Sequence, residues 1–519
     1  MRRVVLGCVL LTAAFGAAYL LWAPEGADLP AAVFRSDLFS RAGFTFVDNA
    51  WYGSHNLPAY SVMAPALGAW LGVRLSATIA VVIAAALFPL LLERTLPRRT
   101  TWPASVLFAL SVSATLFTDR IAFNIGLPLG IAALLAAAYD RRWLALALAV
   151  ATPLASPVAG TFLALCGISW TVASRRGYGL ALAIAAVAPI AVLNLLFPEG
   201  GVFPMSAWVL WPSLIGLAGV FAAADRELNV VRVGAVIYAA AVIFCFFVPN
   251  AAGANVARLI ALVAAPLLAL ELWDRGWLRW ILVPAVGLTL YWSASPSIKA
   301  MRQAHGDPTQ QAGYFDSLNT ELERIERREG RPVRVEIPFT RMHWEAARVA
   351  DRVPIARGWL RQLDRSRNAL FYEKPLRAER YVRWLRENAV SYVALPAPDV
   401  PLDFSAREEA ALIRDGLPAL HEVWHDPDWT LYRVNGTRPL GVTAIGPDWF
   451  SVRPGRDRVV DTRIRFSPHW AVIDGSGCVS ATADGFTRVR ATRPGPVKVG
   501  VKLALGRALL SRGGERCTG

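Results

Sequence analysis

The stretch 46–61, FVDNAWYGSHNLPAYS, groups side chains that suit acid–base chemistry and the binding of an anion. A carboxylate such as Asp48 can take a proton from a hydroxyl group when the geometry permits. Histidine and amide groups, here His55 and Asn49, can stabilise the charge that develops on a leaving phosphate. We therefore predict Asp48 as a catalytic base, with Asn49, His55 and Tyr60 as substrate-binding residues. The alternative is structural: Asp48 caps a helix or accepts hydrogen bonds within its loop.

Polar residues at the ends of apolar runs form a second group of candidates. Arg258 is the most informative, because an arginine at the start of an apolar run is costly unless it lines a cavity or pairs. Its guanidinium suits bidentate binding of a phosphate, or equally a contact with lipid headgroups. Asp119, Arg120 and Asn255 occupy comparable positions and are predicted to complete the site.

The elements that carry these residues are predicted to be membrane spans. Of the 519 residues, 55% are hydrophobic, and the mean hydropathy is +0.39, which is typical of an integral membrane protein. Ten runs are long enough to cross about 30 Å of hydrocarbon, and Trp143–Thr152 is counted as a short eleventh span. The ten runs are Val4–Leu21, Leu75–Leu92, Trp102–Phe117, Ile121–Ala138, Pro157–Ala173, Leu180–Phe197, Ala207–Ala223, Val230–Val248, Val256–Leu272 and Trp277–Ser293.

Arginines between the runs predict the orientation. Basic pairs such as Arg2/Arg3 and Arg141/Arg142 fall on every second connection, as the positive-inside rule requires for a cytoplasmic N-terminus. An odd number of spans then places everything after Ser295 outside. We favour Val4–Leu21 as an anchor over a cleaved signal peptide. The predicted location is the cell membrane, crossed many times.

Residues 1–295 are thus predicted to be a helical membrane domain, followed by two extracytoplasmic domains. Residues 296–436 alternate helical segments, such as Arg377–Asn388, with β-rich runs, such as Trp429–Val434, which predicts a small α/β layer. Residues 437–519 contain short β-rich runs between Gly, Pro and Asp, which predicts a β-sandwich. Such a module often binds carbohydrate, but a packing role is equally compatible.

The stretches HWEA (343–346) and RGWLRQLD (357–364) predict a polar groove with an aromatic floor. Tryptophan faces stack on sugar rings, while Arg and Asp bind hydroxyls or phosphate. The alternative is a salt-bridged surface with its tryptophans packed inward. The groove residues are His343, Trp344, Glu345, Arg357, Trp359, Arg361 and Asp364.

Cysteine usage and motifs set further limits. Cys478 and Cys517 lie in the predicted exported part, where a disulfide can persist, and two cysteines allow one such pairing. No zinc spacing, P-loop or dinucleotide fingerprint occurs, so no cofactor is predicted, and a divalent metal is left open. The net charge of +15 is spread among interleaved acids and bases, which argues against a nucleic-acid partner.

The many spans, the long first outer loop with Asp48, the interfacial stretch 57–72 and the exported C-terminal part together resemble the GT-C glycosyltransferase superfamily. The chain is most similar to actinobacterial membrane proteins with stretches like YGSHNLPAYS, RGWLRQLD and NALFY (368–372). This resemblance implies transfer of a sugar from a polyprenyl-phosphate donor to a cell-envelope glycan or lipid acceptor, with a first-loop Asp as base. Asn49 follows Asp48 where the superfamily often has a second acid, so a paired-acid metal site is not indicated.

Two other functions remain open. A transporter or lipid flippase usually has ionisable sites near mid-membrane in repeated halves, and neither feature is evident. A non-catalytic envelope scaffold would need only an anchor, for which eleven spans are excessive.

Overall fold

The computed structural model of the chain describes residues 1–175, 177–503 and 506. The chain forms two compact units, which are described separately. The membrane unit comprises Met1–Ala32, Ala59–Leu193 and Gly200–His305. The second unit comprises Val33–Pro58, Asn194–Glu199 and Gly306–Gly519.

Helices account for most of the chain up to His305. They are α1 (Arg2–Trp22), α2 (Leu29–Ala42), α3 (Ala64–Leu71), α4 (Val73–Thr95), α5 (Trp102–Ala114), α6 (Ile121–Ala138), α7 (Arg142–Ala155), α8 (Pro157–Ser174), α9 (Tyr178–Leu196), α10 (Ala207–Ala223), α11 (Asn229–Phe247), α12 (Ala257–Leu272) and α13 (Leu282–Ala304). A helix lies at each position where the sequence predicts a span.

Seven helical segments among the described residues are long and apolar enough to cross a membrane, so the chain is an integral membrane protein. They are Arg2–Trp22, Val73–Thr95, Ile121–Ala138, Pro157–Ser174, Tyr178–Leu196, Asn229–Phe247 and Gly253–Leu272. The remaining predicted spans correspond to shorter apolar helices, among them α7. The count of eleven spans and the orientation of both termini stay predictions.

Small residues allow the membrane helices to pack closely. An added Cβ at Gly167 of α8 would lie 3.0 Å from the backbone nitrogen of Ala183 in α9, so these helices touch at their backbones. On α4, Ala77 and Ala84 are fully buried. Lipid provides no hydrophobic drive for helices to associate, so such close van der Waals contact must stabilise the bundle.

The second unit contains a four-stranded mixed sheet in the order β3-β4-β6-β5. Its strands are β3 (Val335–Glu336), β4 (Tyr392–Pro396), β5 (Leu420–His425) and β6 (Trp429–Val434), with helices α14 (Asp316–Glu329), α15 (Glu345–Arg348), α16 (Arg361–Arg367), α17 (Ala378–Glu387) and α18 (Arg407–Arg414). Helix α17 buries Tyr381, Trp384 and Leu385, whose spacing marks one helical face. These side chains share a core with β4, as the predicted α/β layer requires.

Two antiparallel sheets follow. Their strands are β7 (Ala444–Ile445), β8 (Trp449–Val452), β9 (Val459–Arg465), β10 (Trp470–Asp474), β11 (Gly477–Ala481), β12 (Phe486–Ala491) and β13 (Val497–Val501). The strand orders are β10-β13-β8-β7 and β11-β12-β9. Phe450 and Trp470 from one sheet and Val479 and Val489 from the other lie in one hydrophobic cluster. This packing is the kind expected of two facing sheets; the sandwich assignment itself stays a prediction.

The first loop folds with the second unit. Its hairpin strands β1 (Val47–Asp48) and β2 (His55–Asn56) pair with each other, and Trp51 forms a parallel bridge with Ile355. Hydropathy assigned this loop to the membrane domain, because it reports where spans lie and not what a polar loop packs against. The predicted boundary between residues 436 and 437 stays a prediction.

Candidate functional site

The first-loop hairpin places Asp48 opposite His55. Asp48 Oδ2 lies 3.5 Å from His55 Nδ1, and both side chains are 1% exposed. The His55 ring stacks on Trp51 with ring centroids 5.3 Å apart, and Trp51 stacks in turn on Phe34 at 4.4 Å. The predicted base is therefore enclosed in an aromatic environment.

Burial dominates the protonation of this pair. It raises the pKa of Asp48 to about 7, against the opposing effect of the Ala50 and Trp51 backbone N–H groups. Burial, followed by the charge of Arg35, holds the pKa of His55 well below its ordinary value. Asp48 thus titrates near neutral pH beside a neutral imidazole, which suits a proton acceptor. At 1% exposure, Asp48 is not accessible to a substrate in this arrangement.

Asn49 has a structural role in the second unit. Its side-chain amide donates to the Gly446 carbonyl at 2.9 Å and to the Trp449 carbonyl at 3.2 Å. Its backbone N–H donates to the Pro447 carbonyl at 2.9 Å. These bonds fix the hairpin to the turn before β8 and occupy the donors that were predicted to bind substrate.

The hairpin also contacts the RGWLRQLD stretch and the arginine that precedes NALFY. The Tyr52 hydroxyl donates to the Gly358 carbonyl and accepts from the Leu360 N–H at 3.1 Å. Arg367 donates to the Ser54 carbonyl at 2.7 Å. Stretches about 300 positions apart along the chain are therefore parts of one packed arrangement.

A buried charge cluster surrounds Arg357. The guanidinium donates to both carboxylate oxygens of Asp364, at 3.1 and 2.9 Å, and to Glu409 at 3.2 Å, with Glu336 at 3.7 Å. All four side chains are 0% exposed. The aromatic rings of Phe339 and Phe371 lie about the guanidinium, at 4.0 and 3.8 Å. The single positive charge of Arg357 thus lies within 4 Å of three buried acidic side chains.

The other predicted groove residues are buried, except Arg361, whose side chain is partly exposed. The His343 ring stacks on Trp359 at 3.3 Å, and Arg361 donates to both oxygens of Asp403 at 3.0 and 2.8 Å. Trp344 is 2% exposed and Glu345 0%. Most of their polar groups and ring faces contact other residues of the protein, although His343 Nδ1 and Trp344 Nε1 have no hydrogen-bond partner among the described residues. A groove lined by these seven residues therefore stays a prediction.

In the membrane unit, Asp119 holds the end of α1. It accepts hydrogen bonds from the Tyr19 hydroxyl and, at 2.7 Å, from the Gly26 N–H. Its role in this arrangement is to position the segment that follows α1. Asn255 lies in the 3-10 turn Gly253–Val256 that leads into α12 and is buried.

Arg120 and Arg258 come together in the membrane unit. They lie close enough to interact electrostatically, and Tyr60 also interacts with Arg258. The Arg258 guanidinium lies 5.5 Å from the Phe123 ring centroid, and its Nε atom is buried without a hydrogen-bond partner. Both arginines are partly buried. Two neighbouring cations in an apolar setting favour the binding of an anion.

Asp28 is a candidate that sequence reasoning missed. It interacts electrostatically with both Arg120 and Arg258, and its side chain is exposed. Within the part of the chain that the structure describes, no carboxylate lies within 4 Å of either guanidinium. The sequence feature that could have indicated Asp28 is its position in the short segment between α1 and α2, directly after the first span.

Metal and disulfide predictions have separate outcomes. Across residues 1–175, 177–503 and 506, no three His, Cys, Asp or Glu residues are grouped as metal ligands. Cys478 is disulfide-bonded, while Cys517 lies outside the described residues, so the pairing stays a prediction. Cys8, Cys166 and Cys245 are free thiols.

Comparison with known proteins gives limited information. No protein-family model and no curated protein matches the chain. The arabinofuranosyltransferase AftD from Mycobacteria is similar in structure, with a TM-score of 0.49 and 14% identity over 88% of this chain. The chain spans only 43% of that protein. An oligosaccharyltransferase from Archaeoglobus fulgidus has a TM-score of 0.47 and 12% identity, covering 96% of this chain and 94% of its own. Similarity at this level carries no information on activity.

Proposed function

We propose that the protein is a GT-C-type integral membrane glycosyltransferase that transfers a sugar from a polyprenyl-phosphate donor to a cell-envelope acceptor at the outer face. The observation that carries this proposal is the Arg120–Arg258 pair with Asp28 in the membrane unit. A cationic site on membrane helices suits an anion that arrives through the lipid. A polyprenyl phosphate has this chemistry, with an apolar tail and an anionic head.

The proposed reaction uses the two arginines and one carboxylate. The carboxylate accepts the proton of the acceptor hydroxyl, whose oxygen forms a bond to the anomeric carbon. The bond from that carbon to the phosphate oxygen breaks, and the lipid phosphate leaves with the electron pair. Arg120 and Arg258 stabilise the charge that develops on the leaving phosphate.

Two first-loop carboxylates qualify as the base. Asp48 has a pKa near 7 but is 1% exposed. Asp28 is exposed and interacts with both arginines. We favour Asp28, since it is exposed and lies near both proposed phosphate-binding cations, and retain Asp48 as the second candidate.

Asp28→Asn and Asp48→Asn distinguish these candidates. Each isosteric change removes a proton acceptor, so loss of the true base should lower kcat by about 10²–10⁴-fold. The assay uses the full chain in proteoliposomes with radiolabelled polyprenyl-phosphate pentoses and hexoses, and envelope extract as acceptor.

We expect Asp28→Asn to lose transfer and Asp48→Asn to retain it. The reverse result would identify Asp48 as the base, and retention by both variants would remove both from that role. If the wild-type chain transfers none of the sugars while retaining the lipid, the transferase proposal fails and a lipid flippase becomes the better explanation.

A further inference from the structure

Three arginines meet in the second unit without enough carboxylates to balance them. Arg463 and Arg465 alternate with Ile464 on β9, so their side chains leave the same face of the sheet. Both guanidiniums lie against Phe486, at 4.8 and 4.4 Å from its ring centroid. Arg334, which precedes β3, is 1% exposed and packs behind them.

In the described part of the chain, Arg334 and Arg465 have no carboxylate in contact, although Asp484 also stabilises the charge of Arg465 from beyond 4 Å. Arg334 donates to the Asn388 carbonyl at 2.5 Å and to the Arg463 carbonyl at 2.9 Å. Arg465 donates to the side-chain oxygen of Asn388 at 3.3 Å. Arg463 alone is ion-paired, with Asp484. Within the described ranges, neither Arg334 nor Arg465 has a carboxylate within 4 Å, and each has a buried Nε atom without a partner.

Burial and, after it, mutual repulsion lower the pKa values of two of these groups. Burial, followed by the charges of Arg465 and Arg463, lowers the pKa of Arg334 to about 9. Burial and the charge of Arg367 lower the pKa of Arg465 to about 10. Glu199 is ion-paired with Arg367 at 2.8 Å. It therefore balances the charge of Arg367 and not the excess positive charge of Arg334 and Arg465.

A purely structural role does not explain this composition. A buried charge without a partner costs several kcal/mol, and an apolar side chain of similar volume would fill the same space without that cost. Arg463 is 21% exposed and Asp484 55%, so one side of the group reaches solvent. An incoming anion would meet two guanidiniums on one sheet face, with a third positive charge behind them.

We infer that Arg463 and Arg465, supported by Arg334, form a binding site for the carboxylate or phosphate of an anionic sugar. Guanidinium groups bind both anions through paired N–H donors, and the Phe486 ring holds the two donors in place. As an anion site this inference stands without the proposed function. As the site of the sugar-transfer acceptor it rests on that function.

The test measures thermal unfolding of the full chain in detergent with two probes, inorganic phosphate and glucuronate, at constant ionic strength set with sodium chloride. A ligand that binds the folded state alone raises the midpoint in a saturable manner. Arg465→Gln should weaken the apparent affinity at least tenfold, and Arg463→Gln provides a second variant if the first does not fold. The probe that is bound identifies the preferred anion.

Two controls locate the effect. Arg488 lies in the same sheet and is ion-paired with Asp461 at 2.6 Å, with its side chain 43% exposed, so Arg488→Gln should bind as the wild type does. Arg258→Gln separates the proposed donor site, which also attracts phosphate: it should remove only the phosphate stabilisation that persists in Arg465→Gln. Absence of saturable stabilisation by either probe would overturn the inference. An equal loss in Arg465→Gln and Arg488→Gln would do the same.

Discussion

Arg258→Gln should lower kcat/KM for a polyprenyl-phosphate sugar by roughly 30-fold to several thousand-fold. Removing one partner of a buried charge contact costs about 2–5 kcal/mol, and each 1.4 kcal/mol is about tenfold in rate. The loss is large because Arg258 has no carboxylate of its own within 4 Å among the described residues. Its charge is therefore available for the donor phosphate.

Arg258→Lys tests the geometry of that contact. Lysine keeps the positive charge but cannot bind a phosphate through two parallel N–H groups. Its activity should lie between those of the wild type and the glutamine variant. Arg94→Gln is a matched control, because Arg94 is an exposed cation in the last turn of α4. Normal kcat/KM in Arg258→Gln, or an equal loss in Arg94→Gln, would contradict the assignment.

Arg357→Met should destabilise the folded chain by about 3–5 kcal/mol, the cost of leaving buried charges without their partner. Among the described residues, the change leaves Glu336, Asp364 and Glu409 together with no cation within 4 Å. Thermal unfolding in detergent and resistance to protease measure the loss. Arg380→Met is the control, because Arg380 and its partner Glu373 are 51% and 56% exposed. Exposed pairs contribute only about 0–1 kcal/mol, so the two variants should differ clearly.

The same cluster should make stability depend on pH. Burial raises the pKa of Glu409 from its ordinary 4.5 to about 7. Burial, followed by the charge of Glu409, raises the pKa of Glu336 well above 4.5. A raised pKa means that the folded state holds its proton more tightly. The contribution of this tighter proton binding to the free energy of unfolding is fully present below about pH 4.5 and is lost as the pH rises through 7.

Glu336→Gln mimics the protonated acid and should flatten this dependence. We expect the variant to resemble the wild type at pH 5 and to exceed its stability at pH 8. Unfolding midpoints across this range provide the measurement. A variant whose midpoint falls between pH 5 and 8 as steeply as that of the wild type would show that Glu336 does not hold the proton.

Periodicity and hydropathy predict elements well in this chain, because each signal is local. The apolar run Val4–Leu21 corresponds to α1, and the predicted helix Arg377–Asn388 corresponds to α17. Each pattern is local, since the first is an apolar run long enough to span a membrane and the second is a single apolar helical face. The predicted strand Trp429–Val434 coincides with β6 for the same reason.

Long-range packing was beyond such reasoning. Nothing local indicates that Asn49 donates to carbonyls near residue 446, or that Tyr52 bonds to Gly358. The quoted stretches stand out in the sequence because of their unusual polar and aromatic residues. In the structure these residues hold the hairpin in place, so composition marked segments that pack together but could not distinguish a packed role from a catalytic one.

Charge pairing across the chain was equally hidden. Arg258 was found because an arginine in an apolar run is costly, which is a local signal. Its relation to Asp28 depends on how α1, α6 and α12 assemble, which no single segment encodes. Likewise, the presence of Arg357 beside three acids from β3, α16 and α18 follows only from the folded arrangement.

Binding of polyprenyl phosphate to the membrane unit can be measured by native mass spectrometry of the full chain released from detergent. We expect the wild type to retain one lipid phosphate and the double variant Arg120→Gln/Arg258→Gln to lose it, while Arg94→Gln retains it. Equal retention of the lipid by the wild type and the double variant would show that these arginines do not form the donor site.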